Sequence, residues 1–112
     1  MPRTRSWALL CWLGAVAFTG PALAQEASFN LSIKEHRFNP SELQVPANKK
    51  FRLVVKNLDP TPEEFDSADL KREKVIPGNS EATLVIGPLK PGSYKFMGEF
   101  HESSARGTVV AK

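Results

Sequence analysis

Strict alternation of apolar and polar residues constrains the fold of this chain more than any other feature. Period two gives a strand one apolar face, whereas an amphipathic helix needs a period of 3.6. The alternation therefore predicts half-buried β-strands. The segments that follow it are Phe29-x-Leu31-x-Ile33, Leu43-x-Val45, Phe51-x-Leu53-x-Val55, Ala82-x-Leu84-x-Ile86, Tyr94-x-Phe96-x-Gly98-x-Phe100 and Thr108 to Val110.

Turn-forming residues separate these segments, for example Asn39-Pro40, Asn57-Leu58-Asp59-Pro60, Pro77-Gly78-Asn79 and Pro91-Gly92. Strands at a spacing of roughly 8–12 residues predict a single all-β domain, a Greek-key β-sandwich of seven or eight strands. One short helical insertion is expected over Asp66 to Lys74, capped by Asp66 or Ser67. The predicted core contains Phe29, Leu31, Ile33, Phe51, Leu53, Val55, Leu84, Ile86, Tyr94 and Phe96.

The N-terminal stretch has the layout of a cleavable export signal. Arg3 and Arg5 precede an uncharged apolar run from Trp7 to Phe18, and Ala22-Leu23-Ala24 is a small-x-small cleavage box. We predict a signal peptide over residues 1–24 and a mature domain over residues 25–112, located in the periplasm. Removing 24 of the 112 residues leaves 88 and takes away the single cysteine, Cys11.

Charge and hydropathy exclude nucleic-acid binding and a transmembrane segment. Loss of two arginines lowers Lys+Arg from 15 to 13 against 12 Asp+Glu, so the formal charge falls from +3 to +1. A near-neutral chain without a large basic cluster predicts no nucleic-acid binding. The apolar run of about twelve residues is shorter than the roughly 20 that a transmembrane helix needs, so no transmembrane segment is expected in the mature chain.

Carboxylates and one histidine concentrate in two segments that could hold a metal ion: Pro62 to Asp66, with Glu73 soon after, and Gly98 to Glu102. Carboxylate oxygens suit iron, manganese, calcium or magnesium, and an added imidazole shifts the preference towards iron, copper or zinc. The acids of these segments flank Phe65 and Phe100, which are expected to be buried, so some of the acids should lie near the edge of the core. The alternative is that the acids form a solvated surface. The candidate metal ligands are Glu63, Glu64, Asp66, Glu73, Glu99, His101 and Glu102.

Two further residues admit two interpretations each. We interpret His36 as a solvent-facing or structural histidine, with a second metal position as the alternative. Met97 is interpreted as a surface or gap-filling residue, with a soft copper ligand as the alternative.

The segment from Tyr94 to Val110 resembles the C-terminal copper loop of the cupredoxins, in which Tyr-x-Phe leads into Cys-x-x-His, a short turn, a methionine and a final strand. The resemblance covers nearly all of residues 29–111. His101 falls on the family's ligand histidine, but Gly98, Ala105 and Glu63 stand at the other three ligand positions. Without a thiolate the chain cannot form a blue-copper centre.

These departures are themselves similar to the cysteine-poor cupredoxins of bacterial periplasmic iron uptake, including the EfeO-type cupredoxin domain and the stand-alone cupredoxin of ferrous-iron permease systems. The resemblance implies binding of a copper and/or iron ion, with a membrane iron permease and other periplasmic iron-uptake proteins as partners. The strings that carry it are His36-x-Phe38-x-Pro40, Glu63-Glu64-Phe65-Asp66-Ser67, Leu70-Lys71-Arg72-Glu73-Lys74, Gly87-Pro88-Leu89-x-Pro91-Gly92 and Gly98-Glu99-Phe100-His101.

The sequence therefore predicts a periplasmic metal-binding component of a ferrous-iron uptake system that oxidises iron or hands it to a permease, and whether it is an enzyme is left open. The alternatives are a metal-free interaction module that docks a membrane partner and a Cu(II) carrier without redox turnover. Glu63 and His101 are expected to meet at one end of the sandwich. Strand parity predicts that Glu63 points inward with Phe65, while Glu64 lies on the other face with Asp66.

Overall fold

The computed structural model describes residues 26–112. The signal peptide predicted for residues 1–24 lies outside the described residues. Within them the chain forms nine strands and one 3₁₀ turn. The strands are β1 (Ala27–Lys34), β2 (Arg37–Asn39), β3 (Glu42–Val45), β4 (Phe51–Asn57), β5 (Glu63–Ser67), β6 (Arg72–Ile76), β7 (Ser80–Ile86), β8 (Gly92–Gly98) and β9 (Arg106–Ala111), and the 3₁₀ turn is Glu99–His101.

The strands form a four-stranded sheet of order β2-β1-β4-β7 and a five-stranded sheet of order β3-β9-β8-β5-β6. The pairs β1–β4 and β3–β9 are parallel and the other pairs are antiparallel. This architecture confirms the predicted all-β sandwich. The sandwich contains more strands than the seven or eight expected. Strands β2 and β6 follow no clear apolar alternation, because β2 has only three residues and β6 exposes four of its five.

The core lies between the two sheets and continues up to the end that carries Glu63. Eight of the ten predicted core residues are buried, while Phe29 and Tyr94 are half-buried and pack against the core. Phe38 meets the ring of Phe96 edge-on with 4.9 Å between centroids, and Phe65 stacks on Phe96 at 5.2 Å. This aromatic cluster supports β5 and β8 from inside.

The predicted position of the short helix, Asp66 to Lys74, is wrong. Ser67 does cap a turn, since its Oγ accepts a hydrogen bond from the Leu70 N–H at 3.0 Å. Lys71 then adopts a φ of 58°, which ends the turn, and Arg72 pairs with Ser67 to start β6. The helical element of the described residues is the 3₁₀ turn Glu99–His101 instead.

The expected burial of Phe100 is also wrong, because 48% of this residue is exposed. The alternation of β8 stops at Gly98, and the Phe100 N–H donates to Glu63 Oε1 at 2.9 Å rather than to a neighbouring strand. This bond turns the backbone inward and leaves the ring outside. Among residues 26–112, no helix has the length and apolar character that a membrane crossing requires.

Candidate metal centre

Glu63 is a buried carboxylate at the end of the sandwich. Along β5 the inward residues are Glu63, Phe65 and Ser67, and Glu63 is only 1% exposed, as its parity with Phe65 predicts. Burying a carboxylate is costly unless its oxygens are satisfied. Oε1 accepts hydrogen bonds from the Glu64 N–H at 3.0 Å and the Phe100 N–H at 2.9 Å. The backbone therefore supplies a fixed cradle for one oxygen.

The second oxygen of Glu63 meets His101. The distance from His101 Nδ1 to Glu63 Oε2 is 2.6 Å, with 29% of the histidine side chain exposed. The His101 carbonyl accepts from the N–H groups of Ser104 and Ala105, and the Gly98 N–H donates to the Ala105 carbonyl. The loop after β8 thus closes on itself and holds the imidazole over the carboxylate, so the expected approach of Glu63 and His101 is present.

Gly98 and Ala105 make the room that this carboxylate fills. A Cβ at Gly98 would lie 2.6 Å from Glu63 Cδ and 2.7 Å from Ala105 Cβ. A cysteine at position 98 therefore does not fit beside Glu63. Since residues 26–112 contain no cysteine, the donors at this end are nitrogen and oxygen atoms. The arrangement does not fit a blue-copper centre, but it fits an ion that accepts imidazole and carboxylate ligands.

His36 belongs to the same end of the fold, which the first interpretation of this residue did not predict. Its imidazole stacks on that of His101 with centroids 3.5 Å apart and an interplanar angle of 13°. Ligand atoms of His36, Glu63 and His101 all lie within 4.8 Å of one another. We call these three residues the histidine cluster. Nothing in the local sequence pattern around His36 indicates this contact, because it depends on how the β1–β2 turn meets the loop after β8.

Asp59 fixes the turn that presents His36. Its two oxygens accept hydrogen bonds from the Glu35 N–H at 2.7 Å and the His36 N–H at 3.0 Å, and Oδ2 lies 3.5 Å from His36 Nδ1. Burial pushes the pKa of Asp59 upward, but these backbone donors and the positive charge that the imidazoles can carry hold it below its usual range. Asp59 is therefore ionised at neutral pH. Sequence analysis identified its segment only as a turn.

A second group, which we call the carboxylate triad, consists of Glu64, Glu73 and Glu99, with ligand oxygens within 4.8 Å of one another. Glu64 is on the outer face of β5, and Glu73 comes from β6 rather than from a helix. A hydrogen bond with Glu73, burial, and a further bond and repulsion from Glu99 raise the pKa of Glu64 to about 7. The triad therefore retains a proton at a pH where most carboxylates have lost theirs.

The two remaining candidate ligands belong to neither group. Asp66 is paired across the sheet with Glu73 and Met97, two residues along β5 from Glu64. Glu102 is exposed after the 3₁₀ turn, where its backbone carbonyl accepts from Arg106 Nε at 2.7 Å. The seven sequence-predicted residues thus separate into an inner pair, an outer triad and two flanking acids.

Comparison with known proteins places residues 6–111 in the family described as the cupredoxin-like domain. An uncharacterized protein of Rickettsia prowazekii (strain Madrid E) is 41% identical over 80 residues, which cover 71% of this chain and 64% of that protein. The chain thus spans less than two thirds of that relative's length.

Solved structures share the fold at low identity. Auracyanin A, a "blue" copper protein from Chloroflexus aurantiacus, has a TM-score of 0.67 at 14% identity, covering 79% of this chain and 100% of that one. The metal-binding domain of a Cu(I)-exporting P-type ATPase from Streptococcus pneumoniae D39 has a TM-score of 0.64 at 12% identity, covering 76% and 84%.

Proposed function

The chain belongs to the family of cupredoxin-like domains, and on that premise we propose that it is a periplasmic metal-binding component of a ferrous-iron uptake system, which binds iron and/or copper and oxidises iron or hands it to a permease. The observation that carries the proposal is the histidine cluster. A carboxylate that is 1% exposed and directed at an imidazole is an unusual feature of a small domain, because it must be held against its preference for water.

The donor atoms favour the oxidised forms of iron and copper. Anionic oxygen ligands interact more strongly with Fe(III) or Cu(II) than with the reduced ions, and the place of a thiolate is filled by the Glu63 carboxylate beside Gly98. Copper held by His101 and its neighbours would supply one-electron redox chemistry. The imidazole and carboxylate side chains of the two clusters do not take up an electron, so iron oxidation requires copper, oxygen or a protein acceptor.

The carboxylate triad supports iron as the cargo. Three carboxylates within 4.8 Å offer hard oxygen donors on the outer face of the sheet. Glu64 follows Glu63 directly in β5, and Glu99 lies two residues before His101 in the 3₁₀ turn, so the same two short segments contribute to both clusters. Iron held outside would lie close to a redox ion held inside.

The permease and other iron-uptake proteins enter the proposal as partners through the resemblance to periplasmic iron-uptake cupredoxins. Phe100 supports a contact surface at this end, because its half-exposed ring stands next to His101. The predicted signal peptide supports the periplasmic location.

The test is isothermal titration of Cu(II), and of Mn(II) as an air-stable substitute for Fe(II), into the purified periplasmic form. The variants are His101→Ala, Glu63→Gln and Glu64→Gln, with Glu81→Gln as the control because Glu81 is an exposed acid in β7 of the other sheet. We expect wild-type binding of at least one metal, weaker binding in the first three variants and no change in the control.

Aerobic consumption of Fe(II), with and without added copper, separates the functional alternatives. Turnover that depends on copper supports an oxidase role, and Cu(II) binding without turnover supports the carrier. A wild-type protein that binds neither metal contradicts the proposal and favours the interaction module.

A further inference from the structure

The β1–β2 connection holds His36 in an uncommon backbone conformation. Glu35 and His36 form a two-residue hairpin turn between the paired residues Lys34 and Arg37, with φ values of 52° and 56°. Two consecutive positive φ values define a type I′ turn, in which Asn-Gly or another Gly-containing pair is strongly preferred. Residues held in sparsely populated backbone regions cluster at binding and active sites. The identity of the turn residues therefore points to a use for the His36 side chain.

The surrounding loops hold His36 from both sides. Asp59 accepts the N–H groups of both turn residues, and the Ser104 hydroxyl donates to the His36 carbonyl at 2.7 Å. Asp59 lies in the loop that leads to Glu63, and Ser104 lies in the loop that carries His101. The same two loops that build the Glu63–His101 pair thus fix the backbone of His36.

The two imidazoles share a pattern of carboxylate contacts. His101 Nδ1 lies 2.6 Å from Glu63, and His36 Nδ1 lies 3.5 Å from Asp59. Histidines that bind a metal commonly donate the other ring N–H to a carboxylate, which fixes the tautomer and the ring orientation. In the tautomer that places the proton on Nδ1, beside the carboxylate, Nε2 of each ring keeps its lone pair for an ion. The contact of His101 has hydrogen-bond length, whereas that of His36 is longer.

We propose that His36 and His101 together bind a metal ion through Nε2, and that Asp59 and Glu63 are the positioning carboxylates of the two rings. This inference rests on the proposed metal-binding function and changes the role of Glu63 from ligand to support. The ion is a borderline divalent cation such as Cu(II), which imidazole nitrogen suits.

Sharing one ion requires the two rings to leave their stack. Ligand atoms of His36 and His101 lie within 4.8 Å of each other, but the lone pair of an imidazole nitrogen lies in its ring plane, and the two planes are nearly parallel at 13°. One ring must therefore rotate until the planes meet at the ion, and His36, whose contact with Asp59 is the longer at 3.5 Å, is the ring that would turn. The exposure of the side chains, 42% for His36 and 29% for His101, leaves a path for the ion.

The chain contains only two histidines, so every imidazole signal belongs to one of them. The test is Cu(II) titration with pulsed electron paramagnetic resonance, which counts the imidazoles on copper, in wild type, His36→Asn, His101→Ala and Asp59→Asn. Asparagine tolerates a positive φ, so His36→Asn removes the imidazole without breaking the turn. Glu81→Gln is the control.

We expect two imidazoles on copper in the wild type and one in His36→Asn, with at least a tenfold loss of affinity and an unchanged or higher melting temperature of the metal-free protein. Asp59→Asn should weaken copper binding by about 10–100-fold and alter the imidazole signal. One imidazole in the wild type, or unchanged copper binding in His36→Asn, overturns this inference and leaves the proposed function standing. A wild type that binds no metal overturns both.

Discussion

Replacing Gly98 with alanine tests how closely the end of the sandwich is built around Glu63. The new Cβ would lie 2.6 Å from Glu63 Cδ and 2.9 Å from Oε1. To reach an ordinary separation of 3.4 Å, the carboxylate carbon would have to retreat by about 0.8 Å. Because Oε1 is held at 2.9–3.0 Å by the N–H groups of Phe100 and Glu64, such a retreat breaks at least one hydrogen bond.

The expected cost combines two effects. Overpacking a core costs about 1–3 kcal/mol, and a lost hydrogen bond to a charged group costs about 1.5–3 kcal/mol. Alanine returns about 0.5–1 kcal/mol by restricting the unfolded chain. We therefore expect Gly98→Ala to lower the free energy of unfolding by about 1.5–5.5 kcal/mol, out of roughly 4–13 kcal/mol for a domain of this size. The melting temperature should fall by at least about 6 °C.

Urea unfolding followed by far-ultraviolet circular dichroism measures this cost, with Ser93→Ala at the exposed start of β8 as the control. In a Glu63→Ala background the clash with the carboxylate is gone, so the cost of Gly98→Ala should fall by at least about 1 kcal/mol, a coupling typical of residues in contact. A cost below about 0.5 kcal/mol, or one that Glu63→Ala leaves unchanged, would refute the proposed packing of Glu63 against Gly98.

Three other predictions can be measured. The pKa of Glu64 is raised to about 7, so its proton stabilises the fold fully below about pH 4.5, and this contribution is lost as the pH rises through 7. The urea midpoint of the wild type should therefore fall between these pH values, and Glu64→Gln should flatten the pH profile. Parallel profiles of the two proteins would contradict the raised pKa of Glu64. Phe96→Ala removes the ring that contacts Phe38 and Phe65 and should cost roughly 3–5 kcal/mol in urea unfolding; a few tenths would mean that the register of β8 is wrong. Intact mass of the exported protein should correspond to cleavage after Ala24, and a species that still begins at Met1 would contradict the signal peptide.

Local alternation predicted most of the sandwich because the direction of a side chain in a strand depends only on its parity. The same parity argument placed Glu63 inside with Phe65, which the structure confirms. Alternation failed after Gly98, where it predicted a buried Phe100. The reason is a hydrogen bond to Glu63, which lies 37 positions earlier in the chain and which no local pattern contains.

The inclusion of His36 in the histidine cluster depends on contacts between three loops. Its turn lacks the glycine or asparagine that would have identified a type I′ hairpin, and its partner Asp59 stood in a segment recognised only for turn-forming residues. The segment Asp66 to Lys74 shows the opposite error, because here the local pattern predicted an element that does not form. Ser67, one of the two residues expected to cap a helix, caps a turn instead, because pairing of Arg72 with Ser67 overrode the local preference for a helix.

The positions of β1 and β9 determine the order in which the domain can assemble. Both lie inside their sheets, β1 between β2 and β4 and β9 between β3 and β8. Until β9 is present, β3 has no partner in its sheet, and the pair Glu42–Thr108 joins residues 66 positions apart. Closing so long a loop is entropically unfavourable and makes folding slow. Strand β3 is therefore incorporated only once β9 has been synthesised, and a chain that lacks β9 stays open to chaperones and proteases.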